Sequence, residues 1–325
     1  GTGTLSITST GGSITVDSAL SQIGALTLSA KTGITVNANV TSITGNLTIN
    51  ADNNADGTGA LTMAVATTLS TPKAMTLSIT ASGASTIKGI SQAGTLTLTG
   101  AFTGATFDLS NLSINVGGGL TFGTNAAMTL TGSTFTFNGG GGTLTPNSHT
   151  FVNLVINSGA TVNIAGSNLT VSTAFTNNGT LSLYGSETVT VPGAAPQAMG
   201  SVIYTGNGNS AANTYDIYYW TYTNLTINSA DGATDIFRLP TTALPTISGD
   251  FNLIAGTFTT KDSTTIDRNL TITGSVFISG TFTANTSTIT VGGNWNHGAG
   301  TFTYGTSNVI LTGTGSLRTI STYLQ

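Results

Sequence analysis

Apolar and polar residues alternate in short runs along most of this chain. Examples are Leu26-Thr27-Leu28, Ile34-Thr35-Val36, Leu47-Thr48-Ile49, Leu96-Thr97-Leu98 and Leu181-Ser182-Leu183. Successive side chains on a strand point to opposite faces, so each run predicts a short strand with Leu, Ile or Val inward and Thr or Ser outward. A Gly or an Asn usually stops the run, as expected of turn residues. These runs fall short of the about 9 to 11 residues that a strand needs to cross a bilayer. A transmembrane β-barrel is therefore not the expected architecture.

The strands recur at a fixed interval. Gly256-Thr257-Phe258-Thr259 returns at Gly280 to Thr283 and again at Gly300 to Thr303, spacings of 24 and 20 residues (280−256, 300−280). Gly249-Asp250-Phe251-Asn252 precedes Gly293-Asn294-Trp295-Asn296 by 44 (293−249), the sum of those two steps. Near the N-terminus, Gly3 to Ile7, Gly24 to Leu28 and Gly45 to Ile49 are spaced by 21 and 21. Ile14-Thr15-Val16 and Ile34-Thr35-Val36 supply a second strand, and Ile23 and Ile43 mark a third apolar point. Ser91 to Leu98 echoes Ser21 to Leu28 at a distance of 70 (91−21), a little over three such steps. Repeats of this length with period-2 alternation predict a solenoid of short strands. The fold class expected is all-β, a three-sided parallel β-helix of about 15 coils, each of 20–24 residues.

The expected organisation is solenoid coils over 1–191, an irregular insertion or shifted coil over 192–213, and coils again over 214–325. The segment Asp52 to Gly57 interrupts the early coils; its Asn, Asp and Gly content predicts a solvated turn, with a calcium loop as the alternative. Just after residue 213 comes the densest aromatic stretch, Tyr215-Asp216-Ile217-Tyr218-Tyr219-Trp220-Thr221-Tyr222. If Leu225 and Ile227 face inward on one unbroken strand, parity places Tyr215, Ile217 and Tyr219 inside. Tyr218, Trp220 and Tyr222 then form an outward row, the candidate contact site for a sugar or a partner.

Composition narrows the function. Only 6% of residues are charged, the net charge is −4, and 38% are hydrophobic, so the chain is not of a disordered type. Seven Lys and Arg, scattered along the chain from Lys31 to Arg318, cannot build the basic stripe that nucleic-acid binding needs. Cysteine is absent, which excludes disulfides and thiolate metal sites, and no apolar run is long enough for a membrane helix. No cofactor is expected. Gly313 to Gln325 offers no capping element, which predicts either a cut from a longer array or end-to-end stacking of copies.

Gly45-Asn46-Leu47-Thr48-Ile49-Asn50-Ala51, and Gly280 to Val291 with Gly300 to Leu311, resemble the repeats of large secreted bacterial β-strand-repeat proteins. The style is similar to filamentous-haemagglutinin-like and autotransporter-passenger-like solenoids. The resemblance implies a right-handed β-helix, export to the cell surface, and a structural or adhesive role as a segment or subunit of a fibre.

Other readings rest on particular residues. A carbohydrate-binding module would use the aromatic row. A polysaccharide-degrading enzyme needs clustered carboxylates with a basic residue. The closest sets are Asp231 with Asp235 and Asp262 with Asp267, with Arg238, Lys261 and Arg268 nearby, and surface charge is the plainer account of them. His149 and His297 are 148 residues apart (297−149) and are not expected to share a site, so no enzyme is expected. Thr257, Thr259, Thr281, Thr283, Thr301 and Thr303 would stack into an ice-binding style array, though Thr is also an ordinary outward strand residue. Asn-x-Thr sequences at Asn46, Asn168, Asn224 and Asn269 could accept glycans, but they coincide with the repeat itself. The partners expected are further copies of the chain, end to end, and a surface glycan or other cell-surface component.

Overall fold

A computed structural model describes residues 3–232, 234–241 and 243–314, with backbone alone at 317–318. It is all-β. Its parallel strands stack as a β-solenoid of about 15 turns. No helix among the described residues is long and apolar enough to cross a membrane. The sequence's expectation for the C-terminal end falls mostly outside the described residues.

The chain divides into two compact units. The first comprises residues 1–176 and 188–192, the second 177–187 and 193–325. Segment 192–213 belongs largely to the second unit. It carries strand Gln197–Tyr204, which pairs in parallel with Thr180–Leu183 on one side and Trp220–Asn228 on the other. The coil pattern thus runs through this segment, and only its flanks are irregular.

In the first unit one face is built from Leu5–Ser9, Leu26–Ala30, Leu47–Asn50, Thr76–Ala81, Thr95–Gly100 and Leu120–Phe122, each paired in parallel with the next. The register places Leu26, Leu47, Leu77, Leu96, Leu120 and Leu144 in one column, and all six are fully buried. Burial of each is worth about 1.5 to 3 kcal/mol, so the column is a major source of cohesion. The step from Leu26 to Leu96 is three coils, because the coil between Leu47 and Leu77 is lengthened to 30 residues (77−47).

That extra length is the Asp52 to Gly57 segment. The Asp52 carboxylate is buried and accepts the N–H groups of Asp56 and Gly57, at 3.3 and 3.1 Å. Asp56 in turn accepts from the Thr58 N–H at 3.1 Å and the Asn54 amide at 2.6 Å. Both carboxylates are spent on closing the loop, which satisfies backbone donors that have left the ladder.

The third strand of the early coils is displaced from its expected position. Strands Leu20–Gln22 and Val40–Ser42 make that face, with Val40 fully buried, whereas Ile23 and Ile43 are 45% and 49% exposed. The apolar points marked by Ile23 and Ile43 are therefore corner residues outside the core. The corner turns directly after Ser42, whose hydroxyl is held by the carbonyls of Gly24 and Gly45 at 2.9 and 2.7 Å.

In the second unit the Gly-Thr-Phe-Thr motifs pair in successive coils: Thr257, Thr281 and Thr301 align, as do Phe258, Phe282 and Phe302. Phe258 and Phe282 are fully buried with ring centroids 5.3 Å apart, edge to face. Phe251, Val276 and Trp295 align the same way, so the 44-residue spacing is two coils. Gly280 and Gly300 sit where one coil crosses the next. A Cβ on either would lie 2.5 or 2.4 Å from the carbonyl oxygen of the glycine one coil back, so only glycine fits.

At another corner of this unit a side-chain oxygen takes over where the backbone ladder breaks. Asn224 Oδ1 accepts the Asp250 N–H (2.9 Å), Asp250 Oδ1 accepts Ser275 N–H (2.7 Å), and Ser275 Oγ accepts Asn294 N–H (3.0 Å). Asn269 does the same for Thr288 at 2.8 Å. In the first unit Asn46 and Asn168 serve the N–H groups of Thr76 and Thr188 at 2.9 and 2.8 Å. Asn46, Asn168 and Asn269 thus stand immediately before a strand and Asn224 at a corner within one, and each bridges to the coil that follows.

Candidate functional site

The aromatic stretch departs from the outward row expected of it. Trp220 and Tyr222 are core residues, 4% and 0% exposed, while Tyr218 and Tyr219 are half-buried. Two features separate this stretch from a single regular strand, and the second of them reverses the parity of Trp220 and Tyr222. Strand Thr214–Asp216 ends, the chain bends through Ile217 to Tyr219, and a new strand, Trp220–Asn228, begins. That second strand also turns a corner. Thr223 and Asn224 both point away from the core, which reverses the parity between Tyr222 and Leu225. Gly200 and Ser201 make the matching corner one coil earlier, between buried Met199 and Val202. Strand Trp220–Asn228 therefore serves two faces, pairing with Thr246–Ile247 before its corner and with Phe251–Ala255 after it.

The bend is held by a closed ring of hydrogen bonds. The Tyr218 N–H donates to the Tyr204 hydroxyl at 2.9 Å, and the Tyr222 hydroxyl donates to the Tyr218 carbonyl at 2.7 Å. The two hydroxyls lie 3.0 Å apart. Since the Tyr222 proton is committed to the carbonyl, Tyr204 must be the donor between them. Two buried tyrosines thereby satisfy both backbone groups of a residue that belongs to no strand. Burial pushes both hydroxyls well above the ordinary tyrosine range, so they remain protonated donors. The Tyr218 carbonyl also accepts the Trp220 N–H at 3.0 Å. The Tyr218 ring lies flat on Trp220, 4.2 Å between centroids and 8° between planes, and its hydroxyl donates to the Glu187 carbonyl.

Around this bend is a cleft of about 690 Å³, lined by residues that include Ser186, Asn213, Asp216, Tyr218, Tyr219 and Pro240. The Glu187 carboxylate fixes one wall by accepting the N–H groups of Tyr184 and Gly185, each at 2.7 Å. Asp216 is paired with Arg238, and both remain partly exposed. Under the cleft, Tyr215 stacks on Phe237 with centroids 5.2 Å apart. Its hydroxyl is shifted upward by burial and by the charge of Asp235.

Other sequence candidates have local employment. Asp235 is fully buried, not a surface charge; it accepts the Ser229 hydroxyl at 2.9 Å and the Asn213 N–H at 3.2 Å. Asp262 is buried too. Burial opposes its charge, but bonds from the Thr264 hydroxyl, the Ile266 and Thr264 N–H groups and Arg268 more than offset this and bring its pKa down to about 2. Asp267 accepts from Thr286, and Arg238 pairs with Asp216 rather than with Asp231 or Asp235. Asp262 closes a turn, whereas Asp216, Asp235 and Asp267 bridge to residues of a neighbouring coil. Among the described residues no group of three His, Asp or Glu is placed to hold a metal ion. His149 lies in the first unit, its ring nitrogens 2.8 and 3.0 Å from the carbonyls of Pro146 and Ala126; His297 lies in the second, accepting from the Trp295 indole at 3.2 Å.

The threonine columns do stack as the motif implies, but a longer array went unnoticed. Ser6, Thr27, Thr48, Ser78, Thr97, Thr121 and Thr145 form one outward column over seven successive coils of the first unit. Coil lengths between them vary from 30 to 19 residues (78−48, 97−78), which hides the column from any fixed sequence period.

Sequence reasoning also missed Tyr204 and Glu187, which the bend recruits from preceding coils. The signal available was local: Tyr204 ends an alternating run, Val202-Ile203-Tyr204, inside the segment read as irregular. No family model, curated protein or solved structure matches this chain.

Proposed function

We propose that this chain is a structural or adhesive β-solenoid of a secreted or cell-surface protein, acting as a segment or self-assembling subunit of a surface fibre. A coil cannot bury its own apolar residues and gains its core from the coils on either side, so such a chain performs best as an extended array. The observation that carries the reading is the unbroken stacking itself: Leu26, Leu47, Leu77, Leu96, Leu120 and Leu144 form one fully buried column, each covered by the coils before and after it.

The test is electron microscopy and sedimentation of the purified chain over a concentration series, together with antibody labelling of intact source cells. Filaments that lengthen with concentration support the subunit reading, and single short particles at every concentration speak against it. Label confined to the cell interior would overturn the surface assignment.

A further inference from the structure

The cleft at the Ile217 to Tyr219 bend is built more expensively than the coil requires. Five of the eight tyrosines of the chain, Tyr204, Tyr215, Tyr218, Tyr219 and Tyr222, gather within this neighbourhood. Elsewhere a corner is managed by two outward residues and one asparagine, as at Thr223-Asn224. Here a strand is interrupted, and two buried hydroxyls are used to hold the interruption open. The result is a rigid recess with Tyr219 half-exposed at its lining and polar side chains of Ser186, Asn213 and Asp216 around it.

We propose that this cleft binds a neutral oligosaccharide, with Tyr219 as the stacking platform and Asp216, steered by Arg238, as the group that recognises sugar hydroxyls. The chemistry selects this ligand class. Sugar rings present C–H faces that pack on an aromatic ring and hydroxyls that both donate and accept. An anionic ligand would meet Glu187, Asp216, Asp231 and Asp235 in this part of the unit, with Arg238 already paired. A bare cation would find Asp216 engaged by Arg238, Asp235 by Ser229 and Asn213, and both Glu187 oxygens by backbone N–H groups. A wholly apolar ligand would strip water from the partly exposed Asp216–Arg238 pair and offer it nothing in return. The walls are already ordered by the tyrosine ring and by the Glu187 cap, so binding costs little further ordering.

The experiment is calorimetric titration of the intact chain with hexasaccharides of β-linked glucose, xylose, mannose and galactose, and with hexagalacturonate as the charged comparison. At least one neutral hexasaccharide is expected to bind, and Tyr219→Ala to weaken it about tenfold or more, the scale of one lost ring contact. Tyr219→Phe should stay within about threefold, because the stacking face is kept. Asp216→Asn, a change at a partly exposed position, gives an independent reading and should also weaken binding. Tyr304→Ala, at an exposed tyrosine outside the cleft, should leave affinity unchanged, with near-ultraviolet circular dichroism confirming that each variant is folded. The proposal is overturned if no neutral hexasaccharide binds, if hexagalacturonate binds best, or if folded Tyr219→Ala and Asp216→Asn both retain the parent affinity.

Discussion

The leucine column of the first unit and the tyrosine coil of the second solve the same problem with different degrees of commitment. Leu26, Leu47, Leu77, Leu96, Leu120 and Leu144 repeat one contact, and any of them could stand in another's place. Tyr204, Tyr218 and Tyr222 cannot be exchanged, since each supplies a specific donor or acceptor to one ring of hydrogen bonds. Repetition gives cohesion that tolerates variation in coil length. The unrepeated coil gives one fixed recess, and a buried polar network of this sort is costly when broken.

Truncation of the large core residues should produce the largest effects and treat both regions alike. Phe282→Ala and Leu96→Ala are expected to cost about 3 to 5 and 2 to 5 kcal/mol, respectively. Because stacked coils open locally, hydrogen exchange should show the loss concentrated in the coils next to each site. A mild substitution separates the regions. Leu77→Met should cost less than about 1.5 kcal/mol, as a volume-conserving exchange. Tyr222→Phe removes a single oxygen, yet takes one of two donors from the Tyr218 carbonyl and the acceptor from the buried Tyr204 hydroxyl proton, at a cost of about 1 to 3 kcal/mol. Equal stability of these two variants in denaturant titration would refute the distinction.

Smaller still is Asn269→Ala, which strips the Thr288 N–H of its side-chain acceptor. About 0.5 to 1.5 kcal/mol is expected, with faster exchange at that amide.

The mildest probe is pH. Burial holds His297 below its ordinary 6.5, so its contribution is whole above that value and declines as pH falls beneath it, when the unfolded chain takes the proton more readily. Asp262 adds a second loss as pH falls from 3.8 toward about 2, the range where its folded carboxylate still resists protonation. Exchange measured at pH 7 and pH 5 should weaken the Trp295 coil selectively, and His297→Gln should remove that difference.

What was legible in the sequence follows from which constraints are local. Gly280 and Gly300 are required at coil crossings, so the motif they begin marks the coil spacing directly. The inward leucines were equally plain, since alternation within a three-residue strand needs no knowledge of its neighbours. Corners were the weak point. Two adjacent outward residues, as at Thr223-Asn224, flip the parity without any sign in hydrophobicity, and that flip sent Trp220 and Tyr222 to the wrong side. Ile23 and Ile43 misled for the opposite reason, being apolar residues placed at corners. Tyr204 contributes to the bend from 14 residues upstream of Tyr218, a non-local role that no alternation pattern announces.

The loop from Asp52 to Gly57 extends one coil by the length of the detour, yet Leu47 still lies beneath Leu77 in the same column as all the others. Contour length and register are therefore independent quantities here. A guest peptide spliced between Asn53 and Asp56 would be carried outside the ladder, its closure penalty growing only logarithmically with length. Such a chain can acquire side decorations one coil at a time while its spine keeps the same stacking.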